Sequence, residues 1–233
     1  MQHAVVVGGT RGIGLGVTQT LLGRGWHVLA TGVSAAEVAE CPVEENLETA
    51  VLDVTDGAAV AQTFEARTRL DGLVNCAGIL ARGAEYDIEV FEKVIAVNLT
   101  GTMRTCLAAH PLLAESEGAI VNTASMLSLF GGPLVPAYAA SKGGVAQLTK
   151  SLAGRWARDG IRVNAVAPGW IATEMTTALR EDAARNTPIL GRTPLGRWGT
   201  AEEVGQVVAF LLSKEAKFVT GAIYTADGGY SAM

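Results

Sequence analysis

The fold of this chain is decided by one short stretch near its start, Val5-Val6-Val7-Gly8-Gly9-Thr10-Arg11-Gly12-Ile13-Gly14. The three valines predict a strand, and the glycine-rich turn after them leads directly into a helix. Gly8 permits a sharp exit from the strand, Gly12 lets backbone approach a pyrophosphate, and Gly14 lets the helix pack closely on the sheet. The helix N-terminus adds free N–H groups and a partial positive charge. The stretch therefore predicts a strand–turn–helix unit that binds a dinucleotide.

Strands and helices alternate along the rest of the chain. The strand candidates are continuous apolar runs, as expected of parallel strands covered on both faces, and such connections require right-handed crossovers. The sequence therefore predicts an α/β fold, a Rossmann-like doubly wound parallel sheet of about seven strands. The predicted strands are Ala4–Val7, His27–Ala30, Ala50–Leu52, Leu73–Asn75, Ala119–Asn122, Arg162–Val166 and Ala222–Tyr224, and the predicted helices are Leu15–Arg24, Ala58–Arg69, Ile88–Val97 into Leu107–Leu113, Tyr138–Arg158 and Ala201–Leu212.

No linker, repeat or low-complexity segment divides the chain, so residues 1–233 are predicted to form a single dinucleotide-binding and catalytic domain. One segment breaks the rhythm, because residues 171–198 contain Pro188, Pro194 and many polar residues. A long insertion after a strand's carboxyl end favours a substrate lid over a merely variable loop.

Composition excludes several classes of function. The net charge of −5 and the absence of a basic run with interleaved aromatics argue against nucleic-acid binding. No apolar run approaches the roughly 18 residues that span a bilayer, and no signal peptide precedes the first strand. We therefore expect a cytoplasmic protein that does not bind a membrane. No metal is expected, since the cysteines lack CxxC spacing and the histidines lack paired ligand spacing: Cys41, Cys76 and Cys106; His3, His27 and His110.

The strongest catalytic signal is Ser125 followed by Tyr138-Ala-Ala-Ser141-Lys142. On a helix, positions four apart share a face, so the Tyr138 hydroxyl and the Lys142 ammonium can project together. A cation within about 4–6 Å can lower a tyrosine pKa by about 1–3 units, towards the range that suits acid–base catalysis. Ser125 can donate a hydrogen bond to a carbonyl oxygen that gains charge. An amphipathic helix with a solvated lysine is the alternative interpretation.

Two further motifs follow predicted strands, Asp53-Val54 and Asn75-Cys76-Ala77-Gly78, and Asn98 and Pro168-Gly169 come later in the chain. For Asp53 alone, a helix N-cap is an equally good interpretation. Together with the glycine-rich turn and the Ser125, Tyr138 and Lys142 set, this order resembles the short-chain dehydrogenase/reductase family, in its small single-domain branch. The resemblance extends from Val5 to Gly229.

The resemblance implies a role for each matching position. Tyr138 would donate and accept the proton, Lys142 would also bind the nicotinamide ribose, Ser125 would hold the substrate oxygen, and Asn98 would hold a water that links Lys142 to solvent. Asp53 and Val54 would face the adenine, Asn75 and Gly78 would border the ribose, and Ile171 and Thr173 would contact the carboxamide. The expected cofactor-binding set is Gly8, Thr10, Arg11, Gly12, Ile13, Gly14, Ser34, Asp53, Val54, Asn75, Ala77, Gly78, Tyr138, Lys142, Pro168, Gly169, Ile171 and Thr173.

Two positions depart from the family pattern. Val7 stands where the family often has a threonine that steadies a neighbouring turn, so a modest structural change is expected there. Cys76 replaces a second asparagine.

The cofactor is predicted to be NADP(H) rather than NAD(H). An NAD enzyme of this kind usually has a carboxylate at the end of the second strand, and Gly32 and Val33 supply none. Arg11 and the hydroxyls of Thr31 and Ser34 are available to receive a 2′-phosphate. The family's usual basic residue after that strand is absent.

The predicted function is NAD(P)-dependent interconversion of a secondary alcohol and a ketone, with a small sugar-like, polyol or cyclic substrate. The expected pocket has an apolar wall, which disfavours a highly anionic substrate: Leu80, Met126, Leu127, Val135, Tyr138, Trp170 and residues 174–196. The alternative is reduction of a 3-oxoacyl group on an acidic acyl carrier protein. Glu115-Ser116-Glu117 would repel that carrier, leaving mainly Arg180 and Arg185 to attract it.

Two further alternatives are a non-catalytic cofactor-binding regulator and a sugar-nucleotide epimerase or dehydratase. The intact Ser125, Tyr138, Lys142 and Asn98 set disfavours the regulator, and the chain lacks room for the C-terminal substrate domain of the epimerases. Members of the family that resemble this chain are commonly homotetramers. The helical stripe Val145, Leu148, Leu152 and Trp156 is therefore expected either to meet a partner or to pack in the core.

Overall fold

The computed structural model describes residues 1–233 and contains one sheet of seven parallel strands, in the order β3-β2-β1-β4-β5-β6-β7. The chain starts in the middle of the sheet, builds outward to β3 and then returns to build the other half from β4. The direction of growth therefore reverses between β1 and β4, which is where ligands bind in folds of this type. The strands are β1 His3–Val7, β2 His27–Gly32, β3 Leu47–Val51, β4 Gly72–Asn75, β5 Ala119–Thr123, β6 Arg162–Pro168 and β7 Ile223–Ala226.

Helices cover both faces of the sheet, which confirms the predicted doubly wound fold. Alternate residues of one strand belong to different cores: Val5 and Val7 pack with α3, α5 and α6, whereas Ala4 and Val6 pack with α1 and α9. This is why the strands read as unbroken apolar runs. The helices are α1 Gly12–Gly23, α2 Ala35–Ala39, α3 Gly57–Glu65, α4 Ile88–Ile95, α5 Thr102–Ser116, α6 Pro136–Trp156, α7 Thr177–Glu181, α8 Ala183–Arg192 and α9 Ala201–Leu212.

A buried chain of side-chain hydrogen bonds joins β4 and β5 to two helices. Asn75 donates from Nδ2 to Oδ1 of Asn122 at 2.9 Å and accepts at its own Oδ1 from Thr105 of α5 at 2.7 Å. Asn122 in turn donates to the hydroxyl of Thr149 on α6 at 3.0 Å. Because buried polar groups are costly when unpaired, this network aligns α5 and α6 with the centre of the sheet.

Several boundaries differ from those predicted. Helix α2 was not expected, although Ser34 and Glu37 have the spacing of a helix-capping pair, and Ser34 accepts from the Glu37 N–H. Strand β3 begins at Leu47 rather than Ala50, and α3 ends at Glu65 rather than Arg69. Residues 171–198 contain α7 and α8, because Pro188 lies within α8 without ending it.

Helices α4 and α5 are joined without a loop by a π-helical segment, Ala96–Gly101. The extra residue of a π turn rotates the following side chains, and such turns are frequent at functional sites. Asn98 lies in this segment and is fully buried.

The helical stripe considered for assembly packs within the chain. Val145, Leu152 and Trp156 are 1%, 5% and 6% exposed, and Leu148 packs against the same core. The stripe therefore serves the core, because its side chains cover α3, α5 and the sheet. No helix is both long and apolar enough to cross a membrane.

Candidate functional site

The glycine-rich turn between β1 and α1 is too crowded for side chains at three positions, Gly8, Gly9 and Gly14. A Cβ atom at Gly8 would lie 2.6 Å from the backbone nitrogen of Ala77, and φ of Gly8 is +75°. A Cβ atom at Gly14 would overlap the Gly8 carbonyl. The turn therefore folds as predicted, with α1 directly against the end of β1 and β1 close to the segment that follows β4.

The N-terminus of α1 faces a crevice. Arg11 is the N-cap residue and makes no side-chain capping bond, and the first turn has no acidic residue. The atom nearest to a Cβ built on Gly12 is a methyl carbon of Thr173, 3.9 Å away. Thr173 thus lies beside the start of α1, whose free amides are the kind of group that binds the diphosphate of a dinucleotide.

Val7 has no hydroxyl group to hold the glycine-rich turn, and two threonines elsewhere in the chain hold it instead. The Gly8 N–H donates to Oγ1 of Thr31 at 3.3 Å, and Oγ1 of Thr18 donates to the Gly9 carbonyl at 3.0 Å. Thr31 is fully buried in this role. The expectation that Thr31 receives a 2′-phosphate is therefore wrong, because its hydroxyl accepts inside the turn.

A carboxylate that sequence reasoning missed stands beside the end of β2. Thr10 donates from Oγ1 to Oε1 of Glu37 at 2.8 Å, and Nε of Arg11 lies 3.5 Å from the same oxygen. A Cβ at Gly32 would lie 3.3 Å from the Glu37 carboxyl carbon. The expectation that no carboxylate faces this position is wrong, because α2 returns Glu37 to it. Ser34 caps α2 close by.

Asp53 and Val54 follow β3 at the same edge. Asp53 accepts from the N–H and the hydroxyl of Thr55 at 2.8 and 2.7 Å, and these hydrogen bonds lower the pKa of its carboxyl group. Asp56, not Asp53, is the N-cap of α3. Val54 is 5% exposed and packs against the backbone at Gly101.

The segment after β4 divides into buried and crevice-lining residues. The Asn75 side chain is 4% exposed and is fully engaged in the core network, so the prediction that it borders the ribose is wrong for its side chain. Ala77 lies against Gly8. A Cβ at Gly78 would lie 3.4 Å from Oδ1 of Asn98 and 3.6 Å from Nζ of Lys142. Gly78 therefore lies where the π-helical segment that carries Asn98 meets helix α6, which carries Lys142.

The segment after β6 forms the opposite wall. Pro168 ends the strand, and a Cβ at Gly169 would lie 2.6 Å from Cα of Asp227, so that β6 and β7 leave the sheet in close contact. The Ile171 side chain is 5% exposed, packs in the core, and its carbonyl accepts from Thr176 at 2.8 Å. Only backbone atoms of Ile171 that these contacts leave open can meet a ligand.

Ser125 and Tyr138 are brought together as predicted. Ser125 lies two residues after the end of β5, and its hydroxyl acts on the phenol of Tyr138, which lies in the first turn of α6. Burial raises the pKa of Tyr138 above its usual value, the neighbouring Ser125 hydroxyl opposes the rise, and the charge of Glu85 adds to it. The expected lowering of this pKa is therefore not found.

Lys142 lies one turn after Tyr138 on α6 and is 3% exposed. Its Nζ atom lies 5.6 Å from the centre of the Tyr138 ring and donates to the Thr123 carbonyl at 2.6 Å. Burial lowers the pKa of Lys142 to about 8, while the neighbouring Cys76 acts in the opposite direction. The ammonium group thus directs one proton at the backbone, while its charge stays close to the phenol ring.

Asn98 connects the two sides of the site. Its amide forms a reciprocal pair with the backbone of Ile79, at 2.8 and 2.9 Å, and donates to the hydroxyl of Ser141 at 3.0 Å. Ser141 donates to the Tyr138 carbonyl at 2.7 Å. The side chain of Asn98 therefore holds the loop after β4 against the helix that carries Tyr138. Its predicted water stays a prediction.

Residues 171–198 rise from the sheet edge and return to it. The Gly199 N–H donates to the Trp170 carbonyl at 2.9 Å and the Ala172 N–H to the Gly199 carbonyl at 2.8 Å, which closes the base of the excursion. At the end of α8, the Arg192 guanidinium stacks on two rings, 5.1 Å from Phe130 and 4.4 Å from Tyr230. Phe130 and Tyr230 follow β5 and β7, so this cation lies over the half of the sheet edge that contains Ser125.

The acidic run Glu115-Ser116-Glu117 lies at the opposite edge of the sheet. It precedes β5, whereas Ser125 follows it, and a strand of five residues is roughly 15 Å long. Charges on the surface are largely screened beyond about 8–10 Å at physiological ionic strength. At this distance the glutamates exert little repulsion at the pocket itself, so they give the prediction against an acidic carrier little support there.

Sequence reasoning also missed Glu85, which accepts from the Tyr138 N–H. No local pattern indicated it, because its two partners lie at separate points of the chain. For Glu37 the signal existed in the capping spacing from Ser34.

Burial of Lys142 predicts a pH-dependent stability. Its folded-state pKa of about 8 lies below its ordinary value of 10.5, so the unfolded chain binds the extra proton between these values and stability rises with pH across that window. Below it, the cost is roughly 3 kcal/mol. Lys142→Met should therefore raise Tm more at pH 7 than at pH 10, measured by thermal unfolding.

Lys150→Met is the matched control, because Lys150 is exposed on the same helix. Its effect should not change between the two pH values. An equal effect of Lys142→Met at both would contradict the prediction.

Known proteins match nearly the whole chain. Residues 7–231 match the sequence family described as Enoyl-(Acyl carrier protein) reductase. The chain is 42% identical to 2-dehydro-3-deoxy-D-gluconate 5-dehydrogenase of Bacillus subtilis, over 97% of this chain and 93% of that protein. It is 38% identical to 3-oxoacyl-(acyl-carrier-protein) reductase of Thermotoga maritima, over 97% and 96% of the two chains.

The fold of the chain also matches that of a solved structure over nearly the whole length of both chains. Gluconate 5-dehydrogenase from Burkholderia cenocepacia J2315, in complex with NADP and tartrate, superposes with a TM-score of 0.92 and 33% identity, covering 100% of this chain and 96% of that one. The predicted family, fold and reaction class are confirmed by these matches. The chain belongs to the short-chain dehydrogenase/reductase family and is an NAD(P)-dependent oxidoreductase that acts on CH–OH groups, interconverting secondary alcohols and ketones.

Proposed function

We propose that Ser125, Tyr138 and Lys142 carry the chemistry, with NADP(H) as cofactor and a small sugar-like hydroxy acid, or its ketone, as substrate. The observation that carries the assignment is the meeting of the three side chains at the carboxyl end of β5. The Ser125 hydroxyl acts on the phenol of Tyr138, and the buried Nζ atom of Lys142 lies 5.6 Å from the centre of the same ring. A structural lysine and tyrosine would not require this buried ammonium.

When bound in the crevice, a nicotinamide cofactor would supply the hydride for reduction and receive it in oxidation. Ser125 accepts from the Leu127 N–H at 3.1 Å, so its own proton is free to donate to the substrate oxygen, where charge develops. Tyr138 transfers its proton to that oxygen in reduction and takes it back in oxidation. Its raised pKa keeps the hydroxyl protonated at neutral pH, which favours ketone reduction. Lys142 stabilises the phenolate that forms.

Tyr138→Phe tests the assignment. The variant loses only the transferable proton, so kcat should fall by about 10²–10⁴-fold while the Kd for the reduced cofactor stays nearly unchanged. Steady-state rates and cofactor fluorescence measure the two quantities. Retention of more than roughly a tenth of wild-type kcat would refute the role of Tyr138.

The residues of the crevice fit a dinucleotide, and its phosphates would meet the free amides of α1. Preference for NADP(H) is supported by the 63% exposed side chain of Arg11 and by Ser34 at the end of β2. The related gluconate 5-dehydrogenase was solved with NADP. Glu37 opposes the preference, because its carboxylate would repel a 2′-phosphate in the same place.

Two substitutions of opposite sign test the cofactor preference. The wild type should use NADPH with the higher kcat/KM. Glu37→Gln should increase kcat/KM for NADPH several-fold, and Arg11→Gln should decrease it, with little change for NADH in either variant. A roughly tenfold preference of the wild type for NADH would overturn the proposal.

A hydroxy acid is favoured by Arg192. Its guanidinium lies over the rings of Phe130 and Tyr230, 5.1 and 4.4 Å from their centres, and its one hydrogen bond goes to the Met233 carbonyl at 3.4 Å. A guanidinium fixed in this way presents its edge to a carboxylate, which it binds with two parallel hydrogen bonds. A single carboxylate is compatible with an otherwise apolar wall. We propose that residues 171–198 act as the lid that brings Arg192 to the substrate.

Arg192→Gln should raise KM for a sugar acid by roughly tenfold or more and leave KM for an uncharged polyol unchanged. Arg185→Gln, on the same helix, is the control, and kcat/KM is measured for both substrate classes. An equal effect on both would indicate a packing role. A 3-oxoacyl carrier thioester that exceeds the best small substrate tenfold in kcat/KM would favour the carrier reductase, the second candidate.

Assembly and location stay predictions: a homotetramer in the cytoplasm. The family's tetramer contacts would include the helix of Leu107, and the Leu107 side chain is 53% exposed and thus available for a partner subunit to cover.

A further inference from the structure

Glu85 is the most deeply buried carboxylate of the chain, with 1% of its surface exposed. It lies in the segment between β4 and α4, and no lysine, arginine or histidine forms an ion pair with it. Both oxygens instead accept backbone N–H groups: Oε1 from Ala81 at 2.8 Å and Oε2 from Tyr138 at 2.8 Å. A buried charge without an ion pair lowers stability, so the burial of this carboxylate requires an explanation.

The second bond satisfies an end of α6 that its own sequence leaves open. The N-cap residue of α6 is Val135, which has no side-chain acceptor, and Pro136 occupies the first helical position. Tyr138 is the third residue of the helix, and its N–H is one of those that an N-cap side chain normally satisfies. Glu85 supplies the acceptor from 53 residues away, and the positive end of the helix stabilises its charge.

The first bond ties the same carboxylate to the loop after β4. Ala81 follows Ile79, whose backbone is paired with the Asn98 amide. Glu85 and Asn98 therefore clamp this loop to α6 at two points, one at the N–H of Tyr138 and one through Ser141 to its carbonyl. The peptide groups on both sides of the Tyr138 Cα atom are held.

We propose that Glu85 is a positioning residue of the active site, whose carboxylate holds the backbone of Tyr138 so that its hydroxyl stays beside Ser125. The inference rests on the proposed role of Tyr138 in proton transfer. An uncharged side chain cannot replace it, because a glutamine would turn its NH₂ group towards one of the two N–H donors.

A second consequence is electrostatic. The groups that face Tyr138 are Ser125 from the end of β5, Lys142 from α6 with Cys76 beside it, and Glu85 from the segment before α4. Glu85 contributes to the raised pKa of Tyr138. Loss of its charge should therefore lower that pKa and move the alkaline limb of the reduction rate to lower pH.

The test compares Glu85→Gln with Glu89→Gln, a control at an exposed position four residues later in the same region. In Glu85→Gln we expect kcat for ketone reduction to fall by roughly tenfold or more, with the cofactor Kd nearly unchanged. The alkaline limb should move to lower pH by roughly half a unit or more. If Glu85→Gln folds and its alkaline limb stays at the wild-type pH, the proposal is overturned, whether kcat equals the wild-type value or is lower.

Glu85→Asp keeps the proposal testable if the glutamine variant does not fold. Its shorter side chain keeps the charge but cannot reach both N–H groups, so kcat should fall while the limb stays closer to that of the wild type. Wild-type kcat in Glu85→Asp would refute positioning. Tyr138→Phe distinguishes a failure of the proposed function from a failure of this inference. If Tyr138→Phe stays active, the proposed function fails. If Tyr138→Phe is inactive and the Glu85 variants are unaffected, only the positioning role of Glu85 is refuted.

Discussion

The active-site helix is placed by a buried chain of hydrogen bonds among Thr105, Asn75, Asn122 and Thr149. Each group lies out of water and is costly unless paired, so β4, β5, α5 and α6 have one relative arrangement that satisfies all of them. Thr149 lies about two helical turns after Lys142 on the same helix. Fixing Thr149 against the sheet therefore fixes how far Lys142 and Tyr138 extend into the crevice.

Two buried charges then define the electrostatics of the first turns of α6. Lys142 lies under the phenol and is held by the Thr123 carbonyl, while Glu85 accepts from the helix N-terminus. Neither makes an ion pair with a side chain, and each charge is stabilised mainly by backbone dipoles. Such an arrangement lowers stability relative to an apolar core, and its retention is expected where activity depends on it.

The crevice has two halves because of the parallel topology. Residues after β1, β2 and β3 surround the glycine-rich turn, where a dinucleotide fits, and residues after β5, β6 and β7 surround Ser125 and the rings beneath Arg192. Glu37 and Arg192 come from helices that return over these two halves. Their charges therefore lie over different halves of the crevice, Glu37 beside the glycine-rich turn and Arg192 on the side of Ser125.

The sequence by itself determined the sheet, the reaction class and the residues that meet at its edge. Apolar runs, the glycine spacing at Gly8 to Gly14 and the four-residue spacing of Tyr138 and Lys142 are local patterns, and periodicity translates them directly into structure. Only the tertiary structure decided where Asn75 points, that Glu37 faces Arg11, that Glu115 lies at the far edge, and that Glu85 caps α6. These depend on contacts between residues distant in the chain, and a side chain's burial and charge environment are set by its neighbours in space.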